Sequence, residues 1–377
     1  MKKKIVALAA LSAIAGAAQA QSSVTLYGIV DAAVRYTTNQ GPASDSGQSL
    51  TSVIGGGMSQ SRWGIRVDED LGGGLRALAN LEQRFTTDNG ALGAGGQQFQ
   101  QSWVGIQSSS FGRVTVGRQY NVLFDITTGT FASFKYSPYI EAYKPEVSVA
   151  LGVRNDNMVK YALTLGGFTA EAQVSAGEGN DTGFGKSYGG MAKYAFGPFA
   201  VGGGYLEREG TSVVTGKSGL KADSWVLGAA YTSGPIYVSG GYAESSFDQG
   251  VPVALFLIGS GANNTFSYTT PGAGINVEKR SLWYVNGQYQ LTPAINIGAA
   301  YWNIEDQFYA PVSSAGKPGG DFFAFVAQYA FSKRTDAYVG LDYTDISGPV
   351  SFTGNNSAAA NGATDRTGFM VGLRHRF

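Results

Sequence analysis

The sequence predicts an all-β fold, a transmembrane 16-stranded antiparallel β-barrel, on three observations. Apolar residues recur with a period of two in segments of about ten residues, the length a tilted strand needs to cross a bilayer. The number of such segments is even, which lets an antiparallel sheet close on itself. The connections alternate between short turns and long polar stretches, so every second connection lies on one side of the membrane.

Composition agrees. The chain has 55 glycines, 21 tyrosines and 21 phenylalanines, and its charged residues make up 14%, against about a quarter in an average soluble domain. That mixture favours strands joined by tight turns. No Pro-rich linker or charge block divides the 377 residues, so they read as one domain. The absence of cysteine excludes a disulfide framework and Cys-based metal or nucleophile sites, and it suits an oxidising compartment.

Lys2, Lys3 and Lys4 precede the apolar run Ile5–Ala18, and Ala18-Gln19-Ala20 ends in small residues. The expectation is a signal peptide over residues 1–20 and a barrel domain over 21–377. Removing the three lysines turns 27 basic and 27 acidic residues into 24 and 27, a charge of −3. No nucleic-acid partner is implied. Beyond the leader there is no uncharged apolar stretch of roughly 18 residues, so no transmembrane helix can be drawn.

The first strand sets Val24, Leu26, Gly28, Val30, Ala32 and Val34 against Thr25, Tyr27, Ile29, Asp31, Ala33 and Arg35. Alternation of this kind continues through segments centred near Ile29, Ile65, Ala79, Val104, Thr115, Val159, Ala172 and Ala192. It resumes near Gly203, Leu227, Val238, Val285, Ile297, Phe325, Val339 and Val371. Short turns are expected at 68–74, 108–112, 197–198, 233–235, 292–293 and 332–336. Long loops are expected at 36–60, 86–98, 120–153, 177–186, 207–222, 244–279, 303–320 and 345–367. Aromatics cluster at strand ends, as in Tyr194-Ala195-Phe196 and Tyr329-Ala330-Phe331, where amphipathic rings would meet lipid headgroups. A secreted soluble β-protein is the alternative, but it has no use for such girdles or for two classes of loop.

Closure has a physical cause. A backbone N–H or C=O left unpaired in hydrocarbon costs several kcal/mol, and only a closed sheet has no edge. Sixteen strands also enclose a lumen wide enough for water.

Seven passages resemble the general porins of β-proteobacteria, a trimeric family of 16-stranded outer-membrane barrels that includes the neisserial porins. They are Ser23–Asp31, Ser61–Arg66, Glu69–Leu75, Phe111–Gln119, Arg154–Tyr161, Phe331–Asp336 and Gly372–Phe377. The resemblance runs from end to end. It implies a homotrimer in outer-membrane lipid that passes ions and small hydrophilic solutes. It also implies an inward-folded third loop over about 120–153, and recognition of Phe377 by the barrel-assembly machinery as an assembly signal.

Parity puts Arg62 and Arg66 on the polar face of their strand, and Arg154 on one face with Asp156, Met158 and Lys160. The resemblance implies a pore constriction with Arg62 and Arg154 on its basic wall and Glu82 and Asp125 as acidic counterparts, giving a transverse field. Arg66, placed in the lumen by parity, is counted with the constriction and would extend the basic side into a ladder in a selective channel. The competing reading is a wall charge paired with a neighbouring strand, and it is preferred for Arg66, Arg35 and Lys160. Family members often carry an arginine where this chain has Gln100 or Gln101. Tyr136, Tyr139 and Tyr143 could stack on a solute or simply pack against the wall.

Nothing in the sequence points to catalysis, a cofactor or a metal. The one histidine, His375, has no partnered nucleophile. Thr215–Ser218 lacks the strand-to-helix context of a phosphate loop, and neither Asp68–Asp70 nor Glu305-Asp306 has calcium-loop spacing. The sequence therefore predicts a general diffusion porin. An anion- or solute-selective porin and a surface adhesin or receptor barrel remain as alternatives.

Overall fold

The structure is a computed structural model that describes residues 22–93, 98–131, 145–177, 186–211, 216–251, 266–268, 277–309, 318–348, 350–352 and 361–377. Tyr136, Tyr139 and Tyr143, together with the leader 1–20, lie outside the described residues.

In chain order the strands are β1 (Ser23–Thr37), β2 (Leu50–Ile54), β3 (Arg62–Gly72), β4 (Leu75–Arg84), β5 (Gln101–Ser108) and β6 (Gly112–Tyr120). A helix, α1 (Val122–Thr130), and a 3-10 turn (Pro145–Val149) follow. Next come β7 (Arg154–Leu165), β8 (Phe168–Ser175), β9 (Ser187–Phe196), β10 (Phe199–Thr211), β11 (Ser218–Ser233), β12 (Ile236–Phe247) and β13 (Phe266–Tyr268). The chain ends with β14 (Val277–Gln290), β15 (Ile295–Phe308), β16 (Gly319–Ala330), β17 (Thr335–Ser347), β18 (Val350–Phe352) and β19 (Asp365–Arg376).

Setting aside the short β2, β13 and β18, each strand pairs antiparallel with the next, and β1 meets β19 from Ile29↔Arg376 to Thr37↔Gly368. That pairing closes a ring of sixteen. Every expected strand centre falls in one of its members. On β1 the two faces separate as the alternation requires: Val24 and Leu26 are 72% and 61% exposed, whereas Asp31 and Arg35 are buried.

The strands run further than the apolar alternation. Most of 207–222, expected as loop, is strand, because β10 continues to Thr211 and β11 starts at Ser218. Cross-strand charge pairs continue the ladders: Lys221 reaches Glu207 at 2.8 Å and Arg280 reaches Asp306 at 2.7 Å. Asp68–Asp70, expected in a turn, likewise lies in β3, with Asp68 paired to Arg76. A further tight turn, with Gly166 at φ 57°, joins β7 to β8 and was not foreseen.

The wall changes partner beside β1. Residues 23–29 pair with β3 and residues 33–37 with β2. Between those two ladders the chain from Gly56 to Ser61 is buried. At the gap, the Asp31 N–H donates to Ser61 Oγ (2.9 Å), and the Asp31 carbonyl accepts from Ser61 Oγ (3.0 Å) and Thr87 Oγ1 (2.9 Å). The Asp31 carboxylate accepts from the N–H groups of Gly57 (3.2 Å) and Ser59 (2.8 Å) and from Tyr338 Oη (2.5 Å). No backbone group of Asp31 is left orphaned.

The inner face is not uniformly polar. Leu206, Val226, Leu282, Trp302 and Phe322 are buried there in one cluster with Val122, Leu123, Ile126 and Phe131 of α1 and its end. Alternation separates two faces but does not say which inner residues a returning segment covers. Tyr237 Oη and Ser239 Oγ on β12 donate to the carbonyls of Thr130 and Phe131.

Candidate functional site: a charged wall inside the barrel

The chain enters α1 through Asn121, whose side chain accepts from the Phe124 N–H (2.9 Å) and donates to the carbonyls of Ala150 (2.9 Å) and Gly152 (2.7 Å). One residue thereby caps the helix and ties it to the returning chain. Tyr120, just before it, stacks on Phe124 at 4.4 Å between ring centroids.

Tyr120 is the hub of a charge cluster. Its hydroxyl accepts from Arg154 (3.2 Å) and from Arg84, and the Arg154 guanidinium lies 4.6 Å above its ring. Glu82 sits 3.0 Å from Arg84 and 3.7 Å from Arg62. Gln60 closes the cluster by accepting from Arg84 at 2.7 Å. The structure thus brings together three of the expected residues, Arg62, Glu82 and Arg154. Glu82 lies among the arginines rather than opposite them, because Gly64 of β3 faces Glu82 of β4 in the register that also faces Arg62 with Arg84.

Asp125 belongs to a neighbouring group. It pairs with Lys160, which also donates to the Tyr120 carbonyl (2.9 Å) and lies 3.8 Å from Glu171. In the first turn of α1 its negative charge also suits the helix N-terminus. Arg66 stands apart, exposed, with its guanidinium 4.7 Å above the Tyr27 ring.

The common face expected for Arg154, Asp156, Met158 and Lys160 does not form. Asn155 and Met158 are both buried with exposed Asp156 and Asn157 between them, and Asn157 has φ 50°. The β6–β7 register slips at the same place. Two residues facing one form a β-bulge, which reverses parity from there on. Asp156 instead pairs with Arg118.

Three members of the cluster, Gln60, Arg84 and Tyr120, were missed. Arg84 was legible, since it shares parity with Glu82 on β4. Tyr120 was not, because it ends a strand where alternation stops. Gln101 lies opposite Glu82 and Gln100 donates through its backbone to the Glu82 carbonyl (2.7 Å), so neither brings charge.

Phe377 lies at the seam. Its backbone exchanges hydrogen bonds with Gly28 (3.0 and 3.1 Å), and its ring covers that glycine, where a Cβ would come within 2.3 Å of Cζ. His375 faces Thr335, with Nδ1 2.9 Å from Oγ1. Among the described residues no group of three or more His, Asp or Glu side chains is arranged to hold a metal.

Comparison with known proteins agrees with this architecture. The sequence model described as Gram-negative porin matches residues 7–349. An outer membrane porin protein of Bordetella pertussis is 30% identical over 414 aligned positions, and outer membrane porin protein 32 of Delftia acidovorans is 30% identical over 393; each alignment covers 100% of both chains. Major outer membrane protein P.IB of Neisseria meningitidis is 32% identical over 51% of this chain and 60% of its own length. Among solved structures, an anion-selective porin from Comamonas acidovorans superposes with TM-score 0.74 at 24% identity, covering 95% of this chain and 100% of that one. With a closed sixteen-strand barrel, an exposed apolar outer face and end-to-end porin relatives, the chain belongs to the Gram-negative porin family and forms an outer-membrane channel.

Proposed function

We propose that the channel is a general diffusion pore for ions and small hydrophilic solutes, and that the described parts of the third loop, 120–131 and 145–153, narrow it beside Arg62, Glu82, Arg84 and Arg154. The observation that carries this reading is the pairing of α1 with the arginine cluster. The helix leaves β6 at Tyr120, the side chain that holds Arg84 and Arg154, and then packs on β8 to β11. One side of the passage is therefore cationic and the other is filled by the apolar cluster.

The working chemistry is electrostatic, with no bond made or broken, which is why a channel is preferred to a catalyst. Fixed guanidiniums beside a narrow aqueous path raise the local concentration of anions and orient dipolar solutes. That supports a bias towards anions. A salt-gradient reversal potential tests the reading: it predicts a modest anion preference, and an unselective or strongly cation-selective pore opposes it.

The mature chain is proposed to begin at Gln21, to reach the membrane through recognition of Phe377 by the barrel-assembly machinery, and to form a homotrimer through its first and last strands. Exposed Val24, Leu26, Val371 and Leu373 on β1 and β19 supply apolar surface for the last step. Cross-linking in detergent that yields only monomers argues against the trimer.

A further inference from the structure

Arg84 lies beneath the surface of the charged wall. It is 3% exposed, as is Glu82, whereas the Arg62 side chain is 15% exposed. Its Nε donates to Glu82 Oε1 at 3.0 Å, one Nη to Gln60 Oε1 at 2.7 Å and the other to the Tyr120 hydroxyl. Glu82 Oε1 is thus shared by a buried guanidinium and by the more accessible Arg62. The Tyr120 hydroxyl is shared in the same way by Arg84 and Arg154.

We propose that Arg84 is a selectivity-determining residue that acts through Glu82: it offsets the Glu82 carboxylate from below, so that Arg62 and Arg154 set the sign of the field along the solute path. Tyr120 is the positioning residue that links the buried cation to Arg154. Among the described residues, the ionised groups joined here are three guanidiniums and the Glu82 carboxylate, which sum to two positive charges. Without Arg84 the sum falls to one, and Glu82 has only Arg62 of its two ion-pair partners left. This inference rests on the reading of the wall as the constriction and concerns the passage of small anions.

The test is a cycle of reversal potentials in a potassium chloride gradient, recorded on the folded full-length channel in planar bilayers. R84Q lowers the chloride-to-potassium permeability ratio, and E82Q raises it. One unit charge within roughly a Debye length of the path is worth about a two- to fivefold change in that ratio. The double variant E82Q/R84Q restores the sum of two and returns the ratio to the wild-type value, which a merely structural role for Arg84 would not do. Should R84Q fail to assemble, the step from E82Q to the double variant reads the same charge. Y120F keeps every charge and the ring, and shifts the ratio less than R84Q does.

An unchanged ratio in R84Q beside a changed one in E82Q and R154Q overturns the role of Arg84 alone. A double variant that stays displaced from wild type overturns it as well. Unchanged ratios in R62Q, E82Q, R84Q and R154Q together overturn both this inference and the placement of the constriction.

Discussion

Replacing Arg35 by methionine removes one half of a buried ion pair that fastens the closing seam of the barrel. Arg35 on β1 bonds Asp342 on β17 through two contacts, Nη1 to Oδ2 at 2.7 Å and Nη2 to Oδ1 at 2.8 Å. Their side chains are 1% and 2% exposed. Strand β19 lies between them, and Arg35 crosses it over Gly368, where a Cβ would sit 2.1 Å from Nη2. The glycine is therefore required for the close approach. Breaking a buried pair from one side leaves the other charge desolvated, at about 3–5 kcal/mol, whereas replacing both by apolar groups is often neutral or stabilising. Arg35→Met and Asp342→Leu should each lower the unfolding free energy by that amount, and the double variant should recover most of it. Gly368→Ala should reproduce part of the loss by pushing the guanidinium aside. Urea unfolding in lipid vesicles, followed by emission of the 5 tryptophans, measures all four. A cost below about 1 kcal/mol for Arg35→Met, the value of an exposed pair, refutes the reasoning, as does a double variant as unstable as the sum of the singles.

Asp31→Ala should release the buried chain at Gly57 and Ser59 at about 1–3 kcal/mol for each N–H left without its acceptor, seen as new protease cleavage between Gly55 and Ser61 in the folded channel. Asn121→Ala removes the cap of α1 and its ties to Ala150 and Gly152, costing about 1 kcal/mol locally; the expected readout is a noisier open-channel current at unchanged selectivity. Phe377→Ala exposes Gly28 and removes the proposed assembly signal, so the amount of folded protein in the outer membrane should fall while purified chains still refold in detergent.

The barrel was legible because its cause is local. Each strand such as β1 must offer one face to lipid and one to the interior, and Val24, Leu26, Val30 and Val34 state this in the sequence. What stayed hidden depends on chain that returns to the interior. The Gly- and Ser-rich run 55–61 reads as surface loop, yet Asp31 and Tyr338 bury it. Tyr301-Trp302 reads as a strand-end aromatic pair at the lipid headgroups, yet Trp302 turns inward and is buried in the cluster that includes α1. Parity set Arg62 on the polar face of its strand and could have added Arg84, but it does not carry across the Asp156-Asn157 bulge, where one extra residue exchanges the faces and separates Asp156 from Met158 and Lys160. The position of Glu82 depends on the register between β3 and β4, which periodicity alone does not supply.

Single-channel recording of the refolded mature chain in planar bilayers tests the central claim most directly. A closed barrel around an aqueous path predicts ohmic conductance steps that grow in proportion to the conductivity of the bathing salt. Protein that is inserted and β-structured by circular dichroism, yet produces no conductance at any salt concentration, would contradict it.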